Sequence, residues 1–435
     1  MVLGIDFGTS NSAAAVVGDD GQLCVIPLDG ASVAMPTALF FSNETHTTLF
    51  GTPAMQAYLG GTEGRLMRSI KSLLGSKLMD EYTVVNGEST RFFDIVVLFF
   101  KELKARCEAH VGRPIDRALL GRPVHFVDDD AKRDALAQAT LGRAAQAAGF
   151  MHIEFQLEPI AAAFDFEQRI TADTTALVVD IGGGTSDFTV IRLGPQRRHL
   201  ADRSSDILAT TGVHLGGTDF DRLLNLAHVM PLLGYGHIDK GGRPMPNSVF
   251  YDLSTWHLIH RAYSRKSMHF ARDLWNSYAD PTLHARLIHL LQGHHGHRIL
   301  AGVEAAKIAC SLSCESALVE LEFLHGPQDA PPPPSAITPL SMGKALAQSL
   351  AQVVHCAVQC VHASGLTAVD VVYLTGGSSA LQPLVNALQA ALPGATMVQG
   401  DRFGGVAAGL AYAGFIANRP AAPRMHDNAA TLRAT

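Results

Sequence analysis

LVVDIGGGTSDFTV, residues Leu177–Val190, contains two apolar runs on either side of a glycine-rich turn. The first run ends at Asp180, three glycines follow, and the second run begins after Asp187. This pattern predicts two strands joined by a tight turn. Consecutive glycines allow the backbone to approach a ligand closely, and the exposed N–H groups of such a turn favour an anion. The stretch therefore predicts a phosphate site.

Two carboxylates flank this predicted phosphate site. Asp180 and Asp187 would repel a polyphosphate unless a cation lay between them. Mg²⁺ prefers oxygen ligands and keeps several waters, so it could bridge carboxylate and phosphate. The alternative is a glycine-rich hairpin whose acids are simply solvated.

The N-terminal stretch VLGIDFGTSNSAAAVV repeats the same arrangement. An apolar run leads to Asp6, a short segment from Gly8 to Ser10 follows, and a second apolar run begins. Two copies of one acid-tipped hairpin predict two related lobes that face each other across a nucleotide. Such a pair of hairpins would bind a triphosphate from both sides.

The composition limits the class of protein and its partners. Of the 435 residues, 47% are hydrophobic and 17% are charged, so a large core can be buried. The formal net charge of −6 argues against nucleic acid as a partner. No apolar run is long enough to span a bilayer, and the N-terminus lacks the basic segment of a signal peptide. With six scattered cysteines, the chain is expected in the cytoplasm.

Two charged residues in the first half are candidates for chemistry. Glu158 precedes Pro159 at a predicted helix start, where the helix dipole favours an anion. Lys71 lies in RLMRSIKSLLG, a predicted short helical stretch. A capping acid and a solvated lysine are the structural alternatives.

The second half contains a polar helical stripe and two further glycine turns. Glu304, Lys307 and Ser311 recur at i, i+3 and i+7 of a predicted helix, so they share one face. The pair Gly216–Gly217 precedes another predicted helix. The pair Gly376–Gly377 follows a strand that has no acid at its end, which suits a flat, uncharged group.

The region from Pro231 to about His297 is predicted to be the least regular part of the chain. Its histidines, His294 and His295 among them, favour an exposed loop over a metal site. The cysteine pairs at 310/314 and 356/360 are predicted to be small core residues.

Taken together, these motifs resemble the nucleotide-binding domain of the seventy-kilodalton heat-shock chaperones, the DnaK family, in the actin/hexokinase superfamily. GIDFGTSNS is similar to the first phosphate motif of that family, VVDIGGGTSDFTV to the second and YLTGGSSALQPLV to the adenosine motif. EPIAAAF and GGVAAGLAY resemble its two connecting helices, and EAAKIACSLS its adenosine-clasping helix. HLGGTDFD resembles a segment that actins and sugar kinases do not share.

The resemblance implies an α/β, actin-like (ribonuclease H-like) ATPase. Its two duplicated lobes would each contain a mixed central sheet with flanking helices, with the nucleotide in the cleft between them. The expected boundaries are lobe I at 1–170, with a core of 1–35 and 113–170 and an inserted subdomain at 36–112; lobe II at 171–420, with a core of 171–215 and 336–420 and an inserted subdomain at 216–335; and a flexible tail at 421–435.

The resemblance also implies roles at the matched positions. Mg²⁺, with K⁺ as a candidate companion, would be held through water by Asp6 and Asp180. Lys71 and Glu158 would orient the attacking water, assisted by Asp187 and Asp6. ATP or ADP would be held at its phosphates and ribose by Gly8, Thr9, Ser10, Asn11, Gly182, Gly183, Gly184, Thr185, Gly216 and Gly217, and at its adenosine by Glu304, Lys307, Ser311, Gly376, Gly377 and Ser378.

One departure from the family affects the expected function. The chaperones carry a β-sandwich peptide-binding domain after the ATPase, whereas only a short tail follows Ala421, as in the YegD-like members. The expected function is therefore a Mg²⁺-dependent, slowly ATP-hydrolysing switch that acts on an unidentified protein partner or client, without nucleic acid or membrane. The alternatives are a sugar- or acetate-type kinase and an actin-like filament or scaffold protein.

Overall fold

The computed structural model describes residues 1–127, 130–200, 203–256, 258–325 and 331–418. The predicted tail at 421–435 lies outside the described residues. The described strands are β1 (Leu3–Phe7), β2 (Asn11–Val17), β3 (Leu23–Val25), β4 (Met35–Pro36), β5 (Ala38–Ser42), β6 (Thr48–Phe50), β7 (Gly64–Arg68), β8 (Tyr82–Val85), β9 (Glu88–Arg91), β10 (Arg117–Arg122), β11 (His152–Leu157), β12 (Thr174–Ile181), β13 (Ser186–Leu193), β14 (Ile207–Val213), β15 (Ala317–Val319), β16 (Ser335–Ile337), β17 (Val371–Thr375) and β18 (Thr396–Gln399).

The described α-helices connect and cover these strands. They are α1 (Thr52–Leu59), α2 (Phe92–Val111), α3 (Ala131–Ala147), α4 (Glu158–Ala162), α5 (Phe164–Arg169), α6 (Gly217–His228), α7 (Ser248–Ser254), α8 (Ile259–Ala262), α9 (Arg265–Asp273), α10 (Pro281–Gln292), α11 (Gly296–Ser313), α12 (Pro339–Ala363), α13 (Gln382–Ala391) and α14 (Gly405–Ala417).

Two central sheets share one topology. The strand order is β11-β10-β1-β2-β3 in the first sheet, with β4 beside β2, and β14-β13-β12-β17-β18 in the second. In each sheet the acid-tipped strand, β1 or β12, pairs antiparallel with the next strand of the chain. Each also pairs in parallel with a strand that arrives after a long insertion, β10 or β17. This repeated topology confirms the predicted two-lobed, actin-like α/β fold.

The central strands are apolar because helices cover the sheets. In β2 every residue after Asn11 is buried, and all five residues of β17 are buried. Strands that are buried on both faces form continuous apolar runs rather than alternating ones. This explains why the hairpin sequences were recognisable as runs that end abruptly at a charged residue.

The two lobes meet where α14 packs on α4 and β1. A methyl group added at Gly409 of α14 would lie 2.0 Å from the carbonyl oxygen of Ala161 in α4. A methyl group at Gly4 of β1 would lie 2.4 Å from the backbone nitrogen of Ala411. The backbones therefore approach so closely that only glycine fits at these two positions.

Gly409→Ala should reduce the free energy of unfolding by about 1–3 kcal/mol, because the added methyl group has to push two helix backbones apart. Gly405→Ala in the same helix is the matched control, since its methyl group would meet only the Cβ of Asp401, at an ordinary 3.5 Å. Chemical denaturation of both variants checks this. Equal unfolding midpoints for the two variants would contradict the close crossing.

The segment from Pro231 to His297 is more regular than the sequence suggested. The prediction of an irregular region was wrong, since α7, α8, α9 and α10 lie within it. Ser264 and Asp280 accept hydrogen bonds as N-caps of α9 and α10, and buried leucines of α10 face the core. The expected exposed histidine loop is also wrong in part, because His297 is buried in α11. Frequent histidines and glycines concealed these short helices.

Two sequence predictions about surfaces can be compared with the structure. Among the described residues, no helix combines the length and the apolar character needed to cross a membrane.

Of the four paired cysteines, Cys310, Cys356 and Cys360 are buried as predicted, whereas Cys314 is exposed at the end of α11 in a left-handed conformation.

Candidate functional site

The two glycine-rich turns lie against each other. A methyl group added at Gly183 would lie only 1.9 Å from Ser10 Oγ, so the turn of the second hairpin touches the turn of the first. Asp6 and Asp180 lie near the ends of the strands that lead into these turns, and Asp180 is paired with Asp187 across the β12–β13 ladder. The two predicted acids therefore share one site, at the contact between the lobes.

The start of α6 supports the second turn. The backbone N–H of Gly217 donates to Gly182 O at 3.0 Å, and both the N–H and the hydroxyl of Thr218 donate to Gly183 O at 2.8 Å. A methyl group at Gly216 would lie 2.6 Å from Gly183 O. The glycine pair at 216 and 217 thus brings a helix N-terminus, with its favourable dipole for anions, against the turn.

The first turn is supported by Thr37, which the sequence analysis missed. Its hydroxyl donates to Gly8 O at 2.8 Å and lies 2.8 Å from Ser12 Oγ, while its backbone N–H donates to Ser10 O at 2.9 Å. Thr37 is fully buried. Its position directly after Pro36 of β4 was a weak signal, because nothing in the sequence connects β4 with the turn.

The pKa values of two acids in the site, Asp6 and Asp180, are strongly raised. Enclosure by protein raises the pKa of Asp6 to about 7, with a further contribution from Glu158. Enclosure also raises the pKa of Asp180 to about 8, and the neighbouring carboxylates of Asp187, Glu158 and Asp6 add to the shift. Lys71 opposes both shifts. The site therefore has an excess of negative charge that a cation would relieve.

The carboxylates fit a Mg²⁺ that is held partly by the ligand. Among the residues that the structure describes, no group of three or more histidine, cysteine, aspartate or glutamate side chains could enclose a metal ion by itself. Mg²⁺ is usually bound by one or two carboxylates together with waters and substrate phosphates. Asp6 and Asp180, next to two turns of phosphate-binding type, match that set of donors.

Lys71 and Glu158 form an ion pair inside this cluster. Lys71 Nζ donates to Glu158 Oε1 at 2.9 Å, and each side chain is only 13% exposed. Burial lowers the pKa of Lys71, but Glu158 and Asp6 outweigh this effect, so the pKa is raised and the ammonium stays charged. Lys71 lies in a one-turn 3₁₀ helix after β7 rather than in the predicted helix, and Glu158 is the first residue of α4.

Asp187 is held close to the second turn. Thr185 Oγ1 donates to Asp187 Oδ2 at 2.8 Å. A cavity of about 820 Å³ is lined by Glu158, Asp180 and Asp187 on one side and by Thr210 of β14 on another. The cavity is partly open to solvent, so water can reach the carboxylates that line it.

The predicted adenosine helix approaches the site through Lys307. Its Nζ forms an ion pair of 2.8 Å with Asp221 and donates to Gly217 O at 3.3 Å. Burial raises the pKa of Asp221 to about 6, Lys307 lowers it, and nearby Glu304 raises it. The Ser311 hydroxyl donates to Lys307 O at 2.7 Å within the same helix. The sequence analysis missed Asp221, the last residue of HLGGTDFD.

The third glycine turn lies directly behind Asp180. Gly376 has a positive φ of 82°, and a methyl group there would lie 2.3 Å from Asp180 Oδ1. Ser378 donates its backbone N–H to Ile181 O at 3.1 Å, and a methyl group at Gly217 would lie 2.5 Å from Ser378 Oγ. The turn thus joins the Asp180 end of the site to the side where α11 lies.

A further contact connects the two predicted inserted subdomains, 36–112 and 216–335, across the cleft. Tyr58 Oη of α1 lies 2.8 Å from His297 Nδ1 of α11, and His297 Nε2 donates to Trp256 O at 3.1 Å. Arg68 packs on the Trp256 ring, 4.6 Å from its centroid. Burial lowers the pKa of His297 to about 4, so the ring stays neutral and Nδ1 can accept the Tyr58 hydroxyl. The sequence offered no signal for this cross-cleft contact.

The chain is similar to known chaperone proteins. A family model described as Hsp70 protein matches residues 2–232. Similar curated proteins include the "Chaperone protein DnaK" of Thermotoga maritima, 32% identical over 227 residues, or 52% of this chain and 35% of the relative. That of Thermosipho africanus is 31% identical over 223 residues, or 51% and 34%. In these alignments the chain spans about a third of the length of the relatives.

Proposed function

Because the match over residues 2–232 covers more than half of it, this chain belongs to the Hsp70 family, and from that premise we propose that it binds ATP with Mg²⁺ between its lobes and hydrolyses it slowly. One observation carries the proposal. Asp6 and Asp180, from two hairpins far apart in the sequence, meet beside the Lys71–Glu158 ion pair. Phosphoryl transfer depends mainly on positioning, a metal and a placed nucleophile, and this cluster is suited to supply them.

Different residues of the site would bind the phosphates and the metal. The turns from Gly8 to Asn11 and from Gly182 to Thr185 bind the phosphates through backbone N–H groups, together with the Gly216–Gly217 pair. Asp6 and Asp180 would hold Mg²⁺ at the phosphates, with K⁺ as a second candidate cation. The metal, when bound, neutralises charge that develops on the phosphates.

The attacking water is positioned by the buried ion pair. Lys71 and Glu158 orient it, and Asp187, next to the turn, assists. At the other end, Glu304, Lys307 and Ser311 hold the adenosine, with Gly376, Gly377 and Ser378 opposite. Closure of the two lobes around the ligand excludes water from the reaction and completes the site.

Lobe closure would also be the conformational change that a partner protein detects. A partner or client protein that distinguishes the closed from the open lobes would be coupled to nucleotide state by about 1–3 kcal/mol. A cytosolic, chaperone-like role as a nucleotide switch belongs to this proposal.

The proposal is tested by ADP production from purified protein, MgATP and water alone. Slow, stoichiometric release of ADP and phosphate that stops on chelation of Mg²⁺ is the expected result. ADP that forms only when a sugar or acetate is added would favour a kinase. Light scattering that rises on addition of ATP would favour a filament.

Tyr58→Phe should accelerate nucleotide release about two- to tenfold, because one hydrogen bond between the insertions contributes roughly 0.5–1.5 kcal/mol to the closed state. Release of a fluorescent ADP analogue in stopped flow measures this. Tyr82→Phe is the control, since Tyr82 is 64% exposed on β8. Equal release rates for wild type and Tyr58→Phe would show that the cross-cleft contact does not restrain opening.

A further inference from the structure

The outer side of helix α9 carries a concentration of positive charge. Its exposed basic residues are Arg265, Lys266, His269 and Arg272. With about 3.6 residues per turn these four lie on one side of the helix, which we call the α9 face, and the buried residues lie on the other. The exposed Arg261 of α8 is adjacent, since its carbonyl oxygen accepts a hydrogen bond from within α9.

The positive charge of the α9 face is not used inside the chain. In the part of the chain that the structure describes, Arg265, Lys266 and Arg272 have no carboxylate partner. Only His269 approaches one, with its Nδ1 3.6 Å from Asp273 Oδ1. The cations at the start of α9 do not stabilise the helix either, because the helix dipole favours anions there. The charge of this face is therefore available to a ligand.

Two exposed aromatic side chains border the α9 face. Phe270 is 41% exposed and follows Lys266 by about one helical turn. Trp275 is 52% exposed, three positions after Arg272, and its ring contacts the His284 ring of α10 edge-on, with 5.4 Å between the ring centroids. Tryptophan, tyrosine and arginine are enriched among the residues that dominate binding energy at protein interfaces. Basic charge next to exposed aromatic rings therefore fits an acidic ligand that also has apolar groups.

The size of the α9 face limits the kind of partner. Its nine residues form a helix about 14 Å long, which matches about four residues of an extended chain. The formal net charge of the whole chain is −6. A long nucleic acid or an anionic membrane would extend beyond the α9 face onto a surface that is acidic on balance, and would be repelled there. A short acidic segment of a protein avoids that repulsion.

We propose that the α9 face binds a short acidic segment of a partner protein. The carboxylates of the segment pair with Arg265, Lys266 and Arg272. Apolar side chains that flank those carboxylates pack on Phe270 and Trp275. The inference goes beyond the proposed function and does not depend on it, because none of these five residues belongs to the nucleotide site.

Fluorescence anisotropy of labelled peptides, measured on the full chain, tests the proposal. The probe has four glutamates between two leucines. One matched peptide has glutamines in place of the glutamates, and a second has glycines in place of the leucines. The wild type should bind the probe at least about tenfold more tightly than the glutamine peptide, and this preference should shrink as salt is added.

Two double variants separate the charge from the aromatic rings. Lys266→Glu/Arg272→Glu should weaken binding of the probe at least about tenfold, because two attractive charges become repulsive. Phe270→Ala/Trp275→Ala should weaken binding of the probe at least about threefold and leave the affinity for the glycine-flanked peptide unchanged.

Lys101→Glu/Lys344→Glu is the matched control, because it makes the same change in net charge at exposed lysines of α2 and α12. Its affinity for the probe should stay within about twofold of wild type. An equal loss in this control and in Lys266→Glu/Arg272→Glu would overturn the inference, and so would equal binding of the glutamate and glutamine peptides.

Single-stranded DNA and phosphatidylserine vesicles are the probes for the other two classes of partner. Wild-type protein that binds either of them more tightly than the acidic peptide, with that binding lost in Lys266→Glu/Arg272→Glu, would overturn the assignment to a protein segment. ATP affinity should be the same in all these variants. A chain that does not bind ATP but prefers the acidic peptide would contradict the proposed function and support this inference, so the two can fail independently.

Discussion

Lys71→Ala should lower the rate of ATP hydrolysis by about tenfold or more while ATP affinity stays roughly intact. The reason is geometric. Lys71 Nζ is bonded to Glu158 at 2.9 Å, and both side chains are largely buried next to Asp6. Without the ammonium, Glu158 loses its orienting partner and the attacking water loses a donor. The phosphate turns, which are built from backbone, are not changed.

The measurement is single-turnover hydrolysis together with equilibrium ATP binding. Lys77→Ala is the matched control, because Lys77 is an exposed lysine in the next 3₁₀ helix. Glu158→Gln and the double variant Lys71→Ala/Glu158→Gln complete a double-mutant cycle. The losses of hydrolysis rate in the two single variants should not add if the ion pair acts as one unit. Wild-type turnover in Lys71→Ala would return Lys71 to a purely structural role as a counter-charge.

Asp180→Asn should make the nucleotide-free protein more stable at alkaline pH and reduce turnover by about ten- to a hundredfold, the usual cost of losing a residue that orients a metal through its ligands. The pKa of Asp180 is raised to about 8 because the carboxylate is enclosed and faces Asp187, Glu158 and Asp6. The folded chain therefore retains a proton that the unfolded chain releases above about pH 4.

The sign of the pH effect follows from this difference. Between about pH 4 and pH 8 the folded state binds more protons, so wild-type stability falls as pH rises through that window. Asparagine resembles the protonated acid and removes the contribution of residue 180 to this slope, so the variant should gain on the order of a few kcal/mol above pH 8. Denaturation at pH 5 and pH 8.5 measures the gain. Exposed Asp116→Asn is the control, and equal pH slopes for wild type and Asp180→Asn would contradict the account.

The parts of the fold that the sequence could predict are those in which local chemistry and function coincide. The two hairpins were recognisable because a buried strand must be apolar and a phosphate turn must be glycine-rich, and both demands fall on adjacent residues. Glu158 was placed at a helix start for another local reason, because proline, here Pro159, is favoured in the first turn of a helix. A helix was also predicted after the Gly216–Gly217 pair, and α6 begins at Gly217 itself.

The parts that the sequence could not predict depend on contacts between distant segments. Thr37 supports a turn that lies nearly thirty positions earlier, and Tyr58 reaches His297 across 239 positions. No periodicity or spacing records such contacts. The short helices between Pro231 and His297 were missed for a different reason. Their capping residues were present, but frequent histidines and glycines reduced the apolar contrast on which helix prediction depends.

The proposed function depends on two hairpins, tipped by Asp6 and Asp180, that enclose a magnesium triphosphate between the lobes. Calorimetric titration of ATP into the wild-type chain, with Mg²⁺ and then with a chelator, tests it most directly. We expect one ATP to bind per chain, at least about tenfold more weakly without Mg²⁺, and we expect Asp180→Asn to lose that Mg²⁺ dependence. Absence of binding, or an affinity that is the same with Mg²⁺, with chelator and in Asp180→Asn, would contradict it.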